Sequence, residues 1–215
     1  MPDLEFRIAG ASVVPHAASP LLALQVEITN TGGEPIHTVV LRCQIQIETT
    51  RRKYGEEDQR QLLDLFGEPQ RWNQTLRNML WAHTQAVVPA FSGRTVTDLQ
   101  VLCTYDFNVA ATKYFAALQE GDIPLFLLFS GSVFYEGPDG ALQVAPISWN
   151  KEARFRLPLK VWRAMMDAYY PNSAWLCLRK DVFDRLHEYK MLNGIPTWEE
   201  ALERLVAGAE EAIPQ

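Results

Sequence analysis

The stretch Ile123–Tyr135, with the sequence IPLFLLFSGSVFY, is the longest apolar run of the chain and is the best guide to its fold. It is rich in aromatic and β-branched side chains, and turn-like segments at Gln119–Asp122 and Glu136–Gly140 enclose it, which favours a strand over a helix. Apolar residues stand at both parities, so the pattern predicts a central strand that is buried on both faces. We expect an opposing sheet to cover one face and helices to cover the other.

Three strand-like segments lie near the N-terminus. Apolar and polar residues alternate in Leu4–Ile8, in Leu22–Ile28 and most clearly in Val39–Ile47. The turn-forming residues Asn30–Pro35 separate the second segment from the third. We expect the three strands to be adjacent antiparallel neighbours. In the third strand the residues predicted to point inward are Val39, Leu41, Cys43, Ile45 and Ile47.

A helical insertion is predicted between residues 51 and 82. Acidic residues at Glu56–Asp58 suit the start of a helix, the apolar residues of Leu62–Phe66 continue it, and Gly67 ends it. A second helical piece is predicted over Trp72–Trp81. Strand character returns near Ala86 and is firm from residue 95 to residue 103.

A short helix is predicted next, with Asp106 as its N-cap and Gly121 at its end, followed by the central strand and a hairpin. The remainder, residues 159–215, has the apolar periodicity of helices, including a capping box at Thr197–Glu200. The sequence therefore predicts a mainly β domain over residues 1–158, with α additions. Residues 159–215 are expected to form a C-terminal helical extension that packs on that domain.

Composition excludes several classes of function. The chain has 215 residues, 47% of them hydrophobic, and a formal net charge of −6, which disfavours nucleic acid and anionic membranes as partners. The longest apolar run is too short and interrupted for a membrane span. Met1–Phe6 alternates like a strand rather than a secretion leader. The three cysteines are scattered as in a reduced protein, so we expect a cytoplasmic location.

A metal site is not expected. Nickel, iron or zinc would need clustered Cys, His or carboxylate ligands, and the sequence has neither a Cys-x-x-Cys nor a His-x-x-x-His motif. Cys43 and Cys103 stand at inward parities of predicted strands and could be neighbours in the core, where a free cysteine acts as a small apolar side chain. We predict no metal and no cofactor.

Catalytic residues are not expected either. Ser130 lacks the Gly-x-Ser-x-Gly elbow of a nucleophilic serine and lies within a strand. Asp106, Asp167 and Asp181 each have a helix-capping or surface explanation. Gly137 and Gly140 belong to a hairpin rather than to a phosphate loop. The sequence predicts that the protein is not an enzyme.

Aromatic residues give some support to binding of a partner protein. Five tryptophans, Trp72, Trp81, Trp162, Trp175 and Trp198, lie in the predicted helical parts, where they either seal helices onto the sheet or form an interface. Basic and aromatic residues also adjoin the insertion, and a Pro-containing break interrupts the C-terminal helices. The residues predicted to bind a partner are Arg51, Arg52, Tyr54, Tyr170, Asn172 and Trp175.

The order of elements resembles the immunoglobulin-like β-sandwich of late-embryogenesis-abundant and water-stress/hypersensitive-response domains. The matching features are the strand Val26–Asn30 with its turn, the strand ending at Ile47, Leu118–Gly121 with Ile123-Pro124, Ser130–Val133, and Leu157-Pro158. The resemblance implies an immunoglobulin-like β-sandwich that carries a helical insertion and a C-terminal helical cap.

The whole chain also resembles an uncharacterised family encoded beside actinobacterial-type uptake [NiFe]-hydrogenase genes. The segments that carry this likeness are Arg51–Tyr54, Leu65–Pro69, Cys103–Phe107, Leu128–Gly131 and Pro171–Leu176. The resemblance implies an association with hydrogenase production or assembly. Together with the lack of catalytic motifs, it leads us to expect a non-catalytic accessory or interaction protein whose partner is a hydrogenase subunit or maturation factor. Two alternatives stay open: a sandwich that binds a small apolar ligand or lipid between sheet and capping helices, and a metal-handling protein.

Overall fold

A computed structural model describes residues 1–211 of the chain. These residues belong to two compact units, one that spans Met1–Ser173 and one that begins at Ala174. The first unit therefore continues beyond Pro158, where the sequence suggested a boundary, and includes one further helix. The packing of a C-terminal extension on the sandwich stays a prediction.

The first unit contains eight strands and five helices. Their bounds are β1 Leu4–Val13, β2 Leu21–Asn30, β3 Ile36–Ile47, β4 Met79–Val88, β5 Arg94–Leu102, β6 Asp122–Glu136, β7 Leu142–Pro146 and β8 Glu152–Pro158. The helices of this unit are α1 Glu56–Gln61, α2 Leu63–Phe66, α3 Trp72–Thr75, α4 Val109–Ala117 and α5 Leu159–Tyr169. Two 3₁₀ turns, Thr49–Arg51 and Pro69–Arg71, complete the segment between β3 and β4.

The strands form a sandwich of two antiparallel sheets. One sheet has the order β1-β2-β5, and the other has the order β4-β3-β6-β7, with β8 paired to the other half of β6. The core lies between the inner faces, where Leu24 and Val26 of β2 and Leu41 and Ile45 of β3 are fully buried. The predicted fold class, a mainly β immunoglobulin-like sandwich with helical additions, is confirmed.

Strand β6 is the central strand of the larger sheet. It pairs with β3 along one edge, and with β8 and then β7 along the other. Its inward side chains are buried: Ile123, Leu125, Leu127, Phe129 and Val133 are at most 2% exposed. At Gly131, where φ is +136°, a Cβ would clash with the carbonyl oxygen of Val40, so that only glycine fits this close approach.

The prediction that β6 is buried on both faces is wrong for its second face. Phe126, Leu128 and Phe134 point to that face and are only half-buried. Two of them have polar neighbours, since Gln44 and Gln46 of β3 lie opposite Leu128 and Phe126. The Arg154 guanidinium lies 4.5 Å from the centroid of the Phe126 ring. Long polar side chains can cover apolar surface with their stems, so this face needs no helix.

The expectation that the first three strands are neighbours holds only for β1 and β2. β3 belongs to the opposite sheet, so the turn after β2 crosses the sandwich. Asn30 shapes this turn: its side chain accepts from the Gly32 amide at 3.1 Å and donates to the Glu34 carbonyl at 2.7 Å. Alternation specifies which side of a strand is buried, but not which of two facing sheets contains it.

The predicted helix over Trp72–Trp81 is also wrong beyond Thr75, because β4 begins at Met79. The register between β3 and β4 shifts between Ile45 and Gln46, and Trp81 is the extra residue of this bulge. Trp81 and Ala82 are consequently both buried, which breaks the alternation of a regular strand. The Asn108 amide donates to the carbonyls of Leu80 and Trp81, each at 3.0 Å, and holds the bulge.

The helices of the first unit meet in a cluster of aromatic rings. Tyr114 and Phe115 of α4 are fully buried. The Phe115 ring lies edge-on to Trp81 at 5.1 Å and to Trp162 of α5 at 5.3 Å. Trp72, Trp81 and Trp162 are only 8%, 4% and 5% exposed. These three tryptophans therefore seal helices onto the sandwich, which is one of the two roles considered from the sequence.

The second unit contains two helices, α6 Lys180–Leu192 and α7 Trp198–Glu211. The α6 helix ends at Asn193-Gly194, where Gly194 has φ of +61°. Thr197 caps α7 by accepting a hydrogen bond from the Glu200 amide at 3.2 Å. The extended segment before α6, which contains Trp175 and Leu176, is exposed throughout.

Candidate interaction surfaces

Arg52, predicted from the sequence to bind a partner, is engaged inside the first unit. Its side chain is only 9% exposed. The guanidinium donates to the carbonyl of Asp122 at 2.6 Å and to that of Glu120, and it lies 3.6 Å from the Asp58 carboxylate. Asp58 in turn accepts from the Gln119 amide at 2.8 Å. Arg52 therefore joins the helical insertion to the start of β6.

Tyr54 is engaged in a similar way. Its hydroxyl donates to the Thr49 carbonyl at 2.6 Å and lies 2.9 Å from the Tyr114 hydroxyl. The Trp72 ring stands edge-on to it at 5.1 Å. Burial, followed by the neighbouring Tyr114, raises the pKa of Tyr54 far above its usual range, so the phenol stays neutral. Arg51 differs from these two, since its side chain is 58% exposed and forms an ion pair with Glu48.

A cleft of about 740 Å³ lies beside this group. Charges of both signs line it, including Arg51, Lys53, Glu120, Asp122 and Arg156. Neither cysteine nor histidine is among its lining residues. The cleft is therefore lined without a thiol or an imidazole, and Arg52 and Asp58 in its wall hold the loop between the insertion and the sheet.

The two other predicted partner-binding residues of the first unit lie after α5. The Tyr170 ring packs on that of Tyr105, with centroids 4.7 Å apart, and the Tyr105 hydroxyl donates to the Ser173 carbonyl at 3.3 Å. Asn172 is exposed and has φ of +50°, a conformation that asparagine tolerates well. The Pro-containing break is thus an ordered turn that presents Asn172 and holds Tyr170 half-buried.

Trp175, the last of the predicted residues, belongs to the second unit and is 40% exposed. The sequence therefore groups six residues that the structure places in two units. Arg51, Arg52 and Tyr54 lie close together in the first unit, and Tyr170 and Asn172 follow α5 in the same unit. Whether any of them binds a partner stays a prediction.

An apolar groove of about 430 Å³ lies within the second unit. Its lining is apolar apart from one lysine and consists of Leu176, Leu178, Lys180, Phe183, Leu186, Trp198 and Leu202. Many of these side chains remain open to solvent: Leu176 is 66% exposed, Phe183 42% and Leu202 39%. Clustered exposed apolar residues of this kind are a mark of interaction surfaces.

Two of the described residues of the second unit are buried. Ile195 and Ala201 are buried, at 3% and 0% exposure. On the groove side, the Phe183 and Trp198 rings lie 5.3 Å apart, and His187 and Lys190 of α6 also flank Trp198. These contacts join α6 to α7 and order the groove wall. They leave the apolar edge of α7 at Leu205 and Val206 uncovered, at 42% and 57% exposure.

One exposed aromatic residue of the first unit escaped the sequence analysis. Trp149 lies between β7 and β8 and is 91% exposed. Leu142 and Val144 on β7 are also exposed, at 63% and 58%. The sequence does contain a signal for this exposure, because Trp149 stands between the turn-forming residues Ser148 and Asn150. Loops run over the protein surface, so a tryptophan in such a loop is a candidate for an exposed aromatic.

The thiols of the sandwich are buried and inert. Cys43 and Cys103 belong to the same core, and burial raises the pKa of each thiol to about 12. Cys177 in the second unit is exposed. Among residues 1–211 there is no group of three or more His, Cys, Asp or Glu side chains placed to hold a metal ion. The absence of a bound metal in the protein stays a prediction.

Of the helices that the structure describes, none has the length and apolar character needed to cross a bilayer.

Comparison with protein families gives one decisive match. The family of unknown function DUF6084 matches residues 1–214 of the chain. The chain belongs to this family. Because the match covers both units, the sandwich and the helical unit are parts of one family architecture. Among curated proteins, none matches the chain.

Several solved structures are similar to parts of this DUF6084 protein. One is the CARDB domain of a Pyrococcus furiosus protein in complex with di-metal ions, with 16% identity, a TM-score of 0.28, and coverage of 73% of this chain and 87% of that one. Another is the ApaA protein of Bordetella pertussis, with 18% identity, a TM-score of 0.27, and coverage of 73% and 94%. A late embryogenesis abundant protein has 13% identity, a TM-score of 0.30, and coverage of 74% and 73%. At such low identities and scores, no function is transferred from these proteins.

Proposed function

We propose that this DUF6084 protein is a non-catalytic accessory protein that binds a partner protein through its helical second unit. The observation that carries the proposal is the apolar groove between α6 and α7, with Phe183 and Leu202 open to solvent. Exposing such side chains in water is unfavourable, and burying them against a partner recovers that free energy.

The chemistry of the first unit supports a non-catalytic role. Its two thiols are buried and have raised pKa values, so they are poor nucleophiles near neutral pH. The Arg52 guanidinium is occupied by backbone carbonyls and Asp58. The polar network around Arg52 thus stabilises the fold. A catalytic site would instead need a base or a nucleophile that is free to react.

The same unit offers little room for an apolar ligand between the sandwich and its helices. Tyr114, Phe115 and Leu118 fill that space and are fully buried. A ligand there would have to displace aromatic rings from close packing, at a high cost in free energy. The groove of the second unit is therefore the better candidate for binding.

The partner that we propose is a subunit or maturation factor of a [NiFe]-hydrogenase. This part of the proposal rests on the likeness of Arg51–Tyr54, Leu65–Pro69 and Pro171–Leu176 to a family encoded beside such genes. In this setting a protein without a metal site would act on assembly or stability of the enzyme rather than on its chemistry.

Affinity capture with the full-length protein from a hydrogenase-producing host tests the proposal. We expect hydrogenase subunits or maturation factors to be enriched with the native chain and lost with the double variant Phe183→Gln and Leu202→Gln. The control is Leu192→Gln, because Leu192 is 79% exposed but does not line the groove. Equal recovery by the native chain and the double variant would show that the groove is not the binding surface.

A further inference from the structure

We infer that the groove of the second unit accepts the apolar face of a basic amphipathic helix from a partner protein. The inference rests on the proposed function and adds the chemical class of the occupant. It follows from three features of the second unit. These are the shape of its apolar surface, the unpaired acidic residues along one flank, and the contacts that engage the lysines on the other flank.

The apolar surface is a stripe rather than a closed pocket. Trp198, Leu202, Leu205 and Ala209 follow one another on α7 at spacings of four, three and four residues, which places them on one face of the helix. Leu205 is 42% exposed although it lies beyond the groove lining. A small ligand in the groove would leave this continuation in water. A helix laid along α7 would cover all of it, in the helix-in-groove mode of peptide recognition.

Acidic residues follow the stripe along one flank. Glu199 and Glu203 are one turn apart on α7, each directly after a stripe residue, and both are exposed. Within the part of the chain that the structure describes, neither forms an ion pair, whereas Glu200 on another side of α7 is paired with Arg204. This flank therefore presents uncompensated negative charge beside an apolar surface.

The two lysines nearest the groove on the α6 side are each engaged by a neighbouring group. Lys180, the one charged residue of the lining, pairs with Asp184 at 2.6 Å, and Lys190 lies over the Trp198 ring at 5.5 Å. The groove thus combines an apolar floor with one acidic edge. A partner helix with apolar residues on one face and Lys or Arg beside them complements both, and electrostatic complementarity favours it over an acidic helix.

A second copy of this chain fits the groove less well. The protein has a net charge of −6, and α7 itself carries the acidic flank. Two copies that joined their α7 stripes would bring like charges together, which is unfavourable at an interface. The charge pattern therefore points to a different, basic chain.

Binding of two designed peptides to the full-length protein tests this inference by fluorescence anisotropy. Both peptides have about 18 residues, roughly five helical turns, with leucine on one face. One has lysine at all other positions and the other has glutamate. We expect the lysine peptide to bind at least about tenfold more tightly at low salt, with the preference shrinking at about 1 M salt because charges are then screened.

Matched variants separate the apolar from the electrostatic contribution. Phe183→Gln with Leu202→Gln should weaken the lysine peptide at least about tenfold, as expected for central interface residues, while Leu192→Gln should leave its affinity unchanged. Glu203→Lys should reduce the preference for the lysine peptide. Glu188→Lys makes the same change on the side of α6 that lies away from the groove residues Phe183 and Leu186, and should not alter this preference.

Each other result overturns a defined part of the inference. If the glutamate peptide binds as tightly as the lysine peptide, and the groove variant abolishes both, the charge class is wrong but docking at the groove stands. If the lysine peptide binds the groove variant as well as the native chain, its binding is non-specific and the inference fails. If neither peptide binds, and sedimentation detects self-association that Leu202→Gln removes, the occupant is a second copy. If neither peptide binds and no self-association is detected, the groove is not a helix-binding surface.

Discussion

The sandwich unit and the helical unit use their apolar side chains in opposite ways. In the sandwich, Phe129 is 2% exposed and its ring stacks on Phe6 with centroids 4.3 Å apart. In the helical unit, Phe183 is 42% exposed and Leu202 39%, although both lie within helices that line the groove. Residues of one chemical type thus close a core in the first unit and form an open surface in the second.

The polar side chains differ in the same direction. Arg52 in the first unit is buried and held by two carbonyls and a carboxylate. Glu199 and Glu203 in the second unit are exposed and, in residues 1–211, unpaired. In the first unit most apolar and polar groups are engaged within the unit, apart from a few such as the exposed Trp149, whereas the second unit leaves more of both kinds open to solvent.

Phe129→Ala is the strongest test of the close packing in the sandwich unit. The substitution removes a buried ring at the centre of β6, so the free energy of unfolding should fall by about 3–5 kcal/mol, the range for a buried phenylalanine. Urea denaturation followed by circular dichroism measures it. The half-buried Phe134 on the second face of β6 provides the control, and Phe134→Ala should cost clearly less. Equal losses would mean that both faces of β6 are core.

The contrast between the two faces of β6 marks a limit of sequence reasoning. Alternation in β3 identified the buried residues from Val39 to Ile47 because, from Leu41 onward, a polar residue separates each buried residue from the next. In β6 both parities are apolar, and sequence alone cannot tell a ring covered by a helix from one covered by Gln46 and Arg154. Cover by long polar side chains leaves no periodic signal in the strand that it protects.

Arg52→Met is expected to have the next largest effect. The substitution removes the guanidinium from the Asp58 carboxylate, which is only 7% exposed, and from the carbonyls of Glu120 and Asp122, at a cost of about 2–4 kcal/mol. Thermal and urea unfolding measure the loss. Arg51→Met is the matched control, because the Arg51 side chain is 58% exposed and exposed ion pairs contribute less than about 1 kcal/mol. If Arg52→Met were as mild as Arg51→Met, the buried network would not stabilise the first unit.

Sequence analysis groups Arg51 and Arg52 as neighbouring basic residues, but the structure gives them different environments: the Arg51 side chain is exposed and the Arg52 side chain is buried. Arg52 is buried because its guanidinium donates to the carbonyls of Glu120 and Asp122 at the start of β6, a segment that is distant in sequence. The same limit applies to Trp81, whose bulge depends on pairing with β3, and to Trp149, which has no core to enter. Contacts between distant segments decide these roles, and local patterns do not contain them.

Thiol reactivity tests the contrast between the closed core of the first unit and the open second unit, and it requires no substitution in the core. Cys43 and Cys103 are buried and each has a pKa raised to about 12 by burial, so their thiolates are scarce below that pH. Cys177 is exposed. We expect a thiol reagent at about pH 8 to label Cys177 in the native protein and all three cysteines after unfolding, with mass spectrometry as the readout. Cys177→Ser should abolish native labelling. Labelling of Cys43 before Cys177 would contradict the closed core.

Leu202→Gln should have the smallest effect on stability. Leucine and glutamine have similar helix propensities, and Leu202 already exposes 39% of its surface, so the free energy of unfolding should change by less than about 1 kcal/mol. The substitution should nevertheless weaken the lysine peptide, and that pairing of a small stability change with a large binding change is the mark of a surface reserved for a partner. Leu192→Gln, at a residue that is 79% exposed, should change neither quantity. If Leu202→Gln instead lowered stability by the several kcal/mol typical of a core leucine, its side chain would be buried within the protein in solution, and the open groove could not be a binding surface.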